Sequence, residues 1–288
     1  MATEATVNAA KGREERWRDE ASFFDGWAEK SGDQDLPIEA VTFRRYAGPR
    51  LRRRFNKEFR FRLMGDLRGK QMLDVGCGDG YNAVMFARMG AIVTGIDVSP
   101  KAIERARRRA EVNGVSERCR FVAAPIETAD LPAGSFDLVW ADAILHHVLD
   151  ELDLVLQRLA FWTKPEGLLV FGEPVNLAPA LRRLRLMIPV ETDATPDERP
   201  LVRSEVDLIR RYVPDLRRRH YSLFGRLDRF ILVNFNYEKS SLLRRTIVNG
   251  LGLLDYALLS LPGLSRLGGN CVMYGHPVPA PRAQRRTA

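Results

Sequence analysis

Leu73-Asp74-Val75-Gly76-Cys77-Gly78-Asp79-Gly80 is the stretch that decides the fold. It joins a short apolar run, Gln71 to Val75, to three glycines at alternate positions. Such a run, closed by a turn signal, reads as a buried strand. Glycines at 76, 78 and 80 let the backbone turn tightly and let a ligand approach without interference from a Cβ. The spacing is GxGxG. Tyr81 stands where a dinucleotide fingerprint needs its third glycine, which argues against NAD or FAD. No GK[ST] ending follows, which argues against a nucleoside triphosphate.

Working outward, strand-like and helix-like segments alternate. Tyr81 to Arg88 reads as a helix, stopped near Gly90, and Ala91 to Ile96 as a second apolar strand. Ser99-Pro100 supplies an N-cap and a proline at the first helical position. Ala102, Ile103, Ala106 and Ala110 recur at helical spacing before Asn113-Gly114. Arg120 to Ala124, Phe136 to Trp140 and Leu168 to Phe171 read as three further strands. Leu152, Val155, Leu156, Leu159 and Ala160 form one helix face between the last two. Strands that are apolar throughout and alternate with helices predict a parallel sheet covered on both faces. Residues 1–69 read as a charged, helical N-terminal cap, and 70–276 as the main domain. Arg203 to Tyr212 suggests another helix, with late strands at Arg219 to Leu223 and Asn270 to Tyr274. Inserts are expected at about 174–200, which is rich in proline, and 238–266, with a basic tail at 277–288.

The chain of 288 residues has a net charge of +8, unevenly spread. Residues 1–70 carry +4, 71–170 carry −4 and 171–288 carry +8. The basic frame suits an anionic partner, whether a phosphorylated substrate, a membrane surface or nucleic acid. It also fits a compositional bias, since 38 of the 45 cations are arginine. Three cysteines without CxxC or CxxH spacing argue against a disulfide framework and a zinc ribbon, and fit a reducing compartment. No apolar segment of a secretory signal is visible at Met1 to Glu20, so a cytoplasmic location is expected. No cluster has metal-ligand spacing, and no metal is expected.

Asp97 closes the second strand, 21 residues after Gly76. An acid there can accept hydrogen bonds from both hydroxyls of a ribose; as an alternative, it caps the turn before Ser99-Pro100.

Residues 71–172 resemble the class I S-adenosylmethionine-dependent methyltransferases, in the broad small-molecule branch called type 11. The resemblance rests on LDVGCGDG (73–80), VTGIDVSP (93–100), GSFDLVWADAILHHV (134–148) and TKPEGLLVF (163–171). It implies an α/β, Rossmann-like sheet of seven strands with the last antiparallel, here with a helical N-terminal cap and a C-terminal helical insert. It implies S-adenosyl-L-methionine as cofactor, with Asp74 and the loop of Gly76, Gly78 and Gly80 on its methionine part and Asp97 on the ribose. Val98 and Ala141 belong to the same expected site. After the third strand the family often carries an acid beside the adenine. Here Pro125 occupies that place, so the adenine contact is expected from Ile126, with Glu127 unassigned.

The fourth strand runs into Ala141-Asp142-Ala143-Ile144-Leu145-His146-His147. Ligands bind at the carboxyl ends of strands in such sheets, so Asp142 and the two histidines are candidate bases, His147 ahead of His146. Glu173, at the end of the fifth strand, is a candidate to orient an acceptor; all of these also have plain structural roles open to them. The absence of a [DNS]PPY run argues against exocyclic-amine methylation of DNA, and the absence of a Pro-Cys pair excludes a cysteine nucleophile on cytosine.

The expected function is direct methyl transfer to a small, hydrophobic acceptor in small-molecule biosynthesis. An RNA or protein methyltransferase and a non-catalytic cofactor-binding partner are the alternatives. Nucleic acid is disfavoured because the basic segments have little aromatic interleaving. Ile247 to Leu264 approaches the length of a spanning helix, but Asn249, Asp255 and Pro262 interrupt it. It reads as a buried core helix, as a cover over the acceptor, or as a peripheral membrane contact. Arg182, Arg183 and Arg185, beside leucines, form a second basic and apolar stretch.

Overall fold

The apolar run before the glycine turn is strand β1 (Gln71–Val75). It is followed by β2 (Ile92–Asp97), β3 (Cys119–Ala123), β4 (Phe136–Asp142), β5 (Thr163–Pro174), β6 (Arg217–Tyr221) and β7 (Asn270–Gly275). The computed structural model describes residues 12–48, 55–178, 199–233 and 236–278. Its seven strands form one sheet in the order β3-β2-β1-β4-β5-β7-β6. β1 to β5 pair in parallel, and β7 runs antiparallel to both β5 and β6. This is the sheet expected from the sequence, including its reversed last strand. The chain runs outward from β1 to β3, then returns to β4 on the other side of β1. That reversal opens a crevice at the carboxyl ends of β1 and β4, where ligands bind in open α/β sheets.

Side chains alternate across the sheet with period two, as strand geometry requires. Leu73, Val139 and Leu169 face α6 (Leu152–Trp162) and α7 (Arg203–Tyr212). Met72, Leu138, Trp140 and Val170 face α3 (Asn56–Met64), α4 (Tyr81–Arg88) and α5 (Pro100–Val112). On that second face Phe61, Phe86 and Trp140 meet at centroid distances of 5.2–5.6 Å. Such pairs add about 0.5–1.5 kcal/mol each beyond the area they bury.

Two further helices, α1 (Arg13–Lys30) and α2 (Ala40–Ala47), precede the sheet. The first lies along α5 and is tied to its start: Ser99 Oγ donates to Asp25 at 2.5 Å, and the Lys101 amide to the same oxygen at 3.1 Å. The Arg105 guanidinium donates to the Ser31 and Gly32 carbonyls, which holds the end of α1. Arg109, fully buried, donates to the carbonyls of Asp79, Asp35 and Leu36 and pairs with the Asp79 carboxylate. One side chain therefore locks the glycine turn to the N-terminal cap.

Between β6 and β7 lie the short α8 (Asp228–Ile231) and the longer α9 (Leu242–Leu258). The apolar run at 247–264 is not a core helix. Within α9 it buries Val248, Gly252 and Asp255 but leaves Ile247, Leu253 and Leu254 exposed. No helix among the described residues is long and apolar enough to cross a membrane. The expected insert at 174–200 lies from 179 to 198 outside the described residues, and with it Arg182, Arg183 and Arg185. Residues 1–11 and the basic tail from 279 onward also lie outside them.

Candidate active site

The glycine turn shows three separate reasons for glycine. Gly76, Gly78 and Gly80 all have positive φ, at 63°, 50° and 77°. A Cβ on Gly76 would stand 2.3 Å from the Ile144 side chain, and one on Gly80 would stand 2.8 Å from Ala106 on α5. These two permit packing. Only Gly78 faces open space, with nothing within 4 Å of its would-be Cβ. The side of the turn available to a ligand is therefore the side at Gly78.

Two acidic side chains flank that opening. Asp97 at the end of β2 accepts from the Gly78 amide through Oδ2 at 2.8 Å and from the Ser99 amide through Oδ1 at 2.9 Å. It thus shapes both turns, and burial pushes its pKa up against the pull of those amides. Asp74 on β1 is buried and accepts from the Ala83 amide, while its Oδ2 has no partner among the described residues. Burial, with Asp142 nearby, holds Asp74 well above the usual carboxylate range. A buried carboxylate oxygen without a donor costs free energy until one arrives. This chemistry fits a ligand with an ammonium group at Asp74 and hydroxyls at Asp97.

The remaining predicted cofactor residues lie on the same side. Ala141 is fully buried at the end of β4, Ile126 is buried after β3, and Val98 is half-buried after Asp97. Glu127 is buried and paired with Arg16 of α1. Beside it Arg13 pairs with Glu151 at 2.7 Å, and the Phe24 ring meets His147 edge-on at 6.0 Å. Together with Asp25, these contacts lay α1 across the strand ends as a cover. The sequence marked the region as a cap, but nothing local showed which strand ends it covers.

The three predicted catalytic residues have different surroundings. Glu173 is buried with both oxygens engaged. Oε1 accepts from the Ile144 and Leu145 amides at 2.9 Å each, and Oε2 lies 2.9 Å from His146 Nδ1. It holds the loop after β4 rather than facing an open space. Asp142 pairs with Arg60 Nη1 of α3 at 2.6 Å. That guanidinium lies 4.3 Å from the Trp140 ring, in a space kept clear by Gly172, where a Cβ would stand 2.2 Å from it. The His147 ring lies 4.3 Å from that of His146, tilted by 41°, and meets Phe24 edge-on.

None of these three lines the cavity of about 300 Å³ that lies between α2, α3, the start of α4 and the α8–α9 region. Its walls include Arg45, Tyr46, Lys57, Tyr81, Tyr237 and Asp228. Lys57 and Arg60 were missed in the sequence because α3 reads as an ordinary charged helix. Only their convergence on β4 from α3 singles them out.

Residues 73–171 match the family model described as "Methyltransferase domain". Curated relatives match part of this chain. A ubiquinone biosynthesis O-methyltransferase of Methylocella silvestris is 48% identical over 110 residues, covering 38% of this chain and 41% of that protein. The 27-O-demethylrifamycin SV methyltransferase of Amycolatopsis mediterranei is 39% identical over 106 residues, covering 36% of this chain and 39% of that protein. The matched part thus spans about two-fifths of either relative. In overall fold the chain is similar to the geranyl diphosphate C-methyltransferase of Streptomyces coelicolor A3(2), solved with S-adenosyl-L-homocysteine. The TM-score is 0.56 at 15% identity, over 94% of this chain and all of that one. The family match runs from within β1 to within β5.

Proposed function

We propose that this chain is an S-adenosylmethionine-dependent methyltransferase acting on a small, hydrophobic acceptor by direct transfer. The observation that carries this reading is the open face of Gly78 between Asp97 and the unpartnered Oδ2 of Asp74, inside the matched domain. Asp74 would take the methionine ammonium, Asp97 the two ribose hydroxyls, and Gly76, Gly78 and Gly80 the backbone of the turn. Val98, Ile126 and Ala141 would line the adenine and methionine parts. When bound, the cofactor supplies a methyl group activated on a sulfonium. The chain's share is position and the exclusion of water. Arg60 and Asp142 would form the wall between cofactor and acceptor, with Glu173 fixing the loop that carries His147. Incubation with isotopically labelled S-adenosylmethionine and a panel of hydroxylated aromatic and polyketide-like acceptors tests the activity. Mass spectrometry should show an acceptor gaining one labelled methyl. Failure to bind the cofactor by calorimetry refutes the reading.

We also propose that α9 rests on an anionic membrane surface, from which a hydrophobic acceptor would be drawn. Leu242, Leu243, Ile247, Leu253 and Leu254 occupy one solvent-facing side of the helix, with Leu242 79% and Leu243 70% exposed. Arg226, Arg229, Arg244 and Arg266 are exposed nearby, and no acidic residue of the described part of 222–267 is exposed. Apolar residues beside cations are what interfacial binding requires. In flotation assays the protein should rise with vesicles containing phosphatidylserine and not with neutral ones. Leu242→Glu with Leu253→Glu should abolish this. No flotation at low salt, or a stable dimer lost on the same substitutions, overturns the membrane assignment.

A further inference from the structure

The cavity beside α3 is lined by an amine, Lys57, and a carboxyl, Asp228. Lys57 Nζ has no hydrogen-bond or ion-pair partner among the described residues. It sits over the rings of Tyr81 at 5.0 Å and Tyr46 at 5.5 Å. Asp228 Oδ1 is buried without a partner at the α8 side of the same space. Tyr46, Phe55, Tyr81 and Tyr237 give the cavity an aromatic frame. The other charged wall residue next to Lys57, Arg45, is neutralised by Glu58 at 2.8 Å and Glu238 at 2.9 Å. Among the described residues the Lys57 ammonium makes no ion pair, and Asp142 and Asp74 at the strand ends lie near enough to act on its charge.

Burial pushes the Lys57 pKa down to about 8, with Arg60 and Arg45 acting in the same direction and Asp142 and Asp74 opposing. The same burial, with Asp255 nearby, lifts Asp228 to about 6. An amine titrating near neutral pH is suited to accept a proton during catalysis. An aromatic-walled cavity lined by both an amine and a carboxyl fits a ring that carries an acidic hydroxyl and a second hydrogen-bond donor.

We infer that this cavity is the acceptor site, that the acceptor is a hydroxylated aromatic compound, and that Lys57 is the base for its hydroxyl. The inference rests on the methyltransferase reading above. The hydroxyl proton passes to the neutral Lys57 amine. The oxygen lone pair forms the new O–CH3 bond, the C–S bond of the sulfonium breaks, and its electron pair stays on sulfur as a thioether. The proton leaves Lys57 to solvent before the next cycle. Asp228 would hold the second donor and set the orientation of the ring.

The test uses 4-nitrophenol, whose absorbance reports its ionisation, with 4-nitroanisole as the form lacking a proton. Without cofactor, the wild-type protein should bind 4-nitrophenol and lower its apparent pKa. Lys57→Met should weaken that binding about ten-fold or more and remove the shift, leaving 4-nitroanisole binding unchanged. Lys57→Arg should retain phenolate binding. With cofactor and an identified acceptor, both variants should lose about 10²–10⁴-fold in kcat. The wild-type rise of kcat/KM with pH through about 8 should vanish in Lys57→Arg. Unchanged 4-nitrophenol titration in the wild type, or equal behaviour in Lys57→Met, overturns the assignment. Loss of cofactor binding in the wild type, measured separately by calorimetry, instead overturns the methyltransferase reading.

Discussion

Replacing Glu173 separates a holding role from a catalytic one. Its Oε1 accepts two backbone amides at 2.9 Å each, and Leu145, one of the donors, is fully buried. Glu173→Ala strands both amides and leaves His146 without its carboxylate. Hydrogen bonds to a charged group contribute about 1.5–3 kcal/mol each. Relief of the buried charge offsets part of this sum, since an ionised carboxylate is costly to bury. The expected loss is about 3–4 kcal/mol. Glu173→Gln keeps one oxygen for the two amides and should cost about 1 kcal/mol. Urea unfolding followed by circular dichroism gives both values, provided the m-value is unchanged. Calorimetry on Glu173→Gln should show near wild-type cofactor affinity. A Glu173→Ala protein within about 0.5 kcal/mol of wild type, yet without turnover, refutes the holding role and returns Glu173 to the acceptor.

Gly80→Ala should destabilise the protein by about 2–4 kcal/mol in thermal melts, since it adds a 2.8 Å contact to Ala106 to the strain of a positive φ. Gly78→Ala should cost only about 1–2 kcal/mol, because space is open there, but should weaken cofactor binding. Equal effects of the two on stability would contradict the assignment of the open face. His220 is buried and its pKa is pushed down to about 4 by burial, with Arg218 and Arg219 adding to the effect. The unfolded chain binds this proton first, so its contribution is complete above pH 6.5 and lost as pH falls toward 4. The size is on the order of 2–3 kcal/mol. Urea midpoints for His220→Gln should be flatter than wild type across that window, and parallel curves would exclude the effect.

The sheet was legible because its signals are local. β1, α4 and α7 fall at the residues expected, and the Ser99-Pro100 cap acts as read, with Ser99 accepting from the Ala102 amide. β5 is longer than its apolar run Leu168 to Phe171. It begins at Thr163, where pairing with Phe136 across a bulge recruits polar residues that carry no strand signal. Asp74 and Asp97 were legible because strand ends fix their positions. Arg60 and Lys57 were not, since each meets β4 or the cavity from a helix more than 70 residues away in sequence from Asp142. Glu173 was located correctly at a strand end, but its engagement with Ile144, Leu145 and His146 depends on the register of β4 against β5. In the same way the exposure of α9 is a matter of which side meets the turn after β6, where Asp255 accepts from the Leu223, Phe224 and Gly225 amides. The apolar composition of residues 247–264 is compatible with burial or exposure alike.

The proposed site places S-adenosylmethionine at the carboxyl ends of β1 and β2 with its ribose on Asp97. Isothermal titration of S-adenosylmethionine into the wild type and Asp97→Ala tests it most directly. Asp97 also accepts from the Gly78 and Ser99 amides, so Asp97→Asn serves as the variant that keeps one acceptor oxygen for the turn. Loss of hydrogen bonds to a charged group should weaken binding about ten-fold or more in Asp97→Ala, with a smaller loss in Asp97→Asn. Wild-type affinity in a folded Asp97→Ala protein would contradict the account.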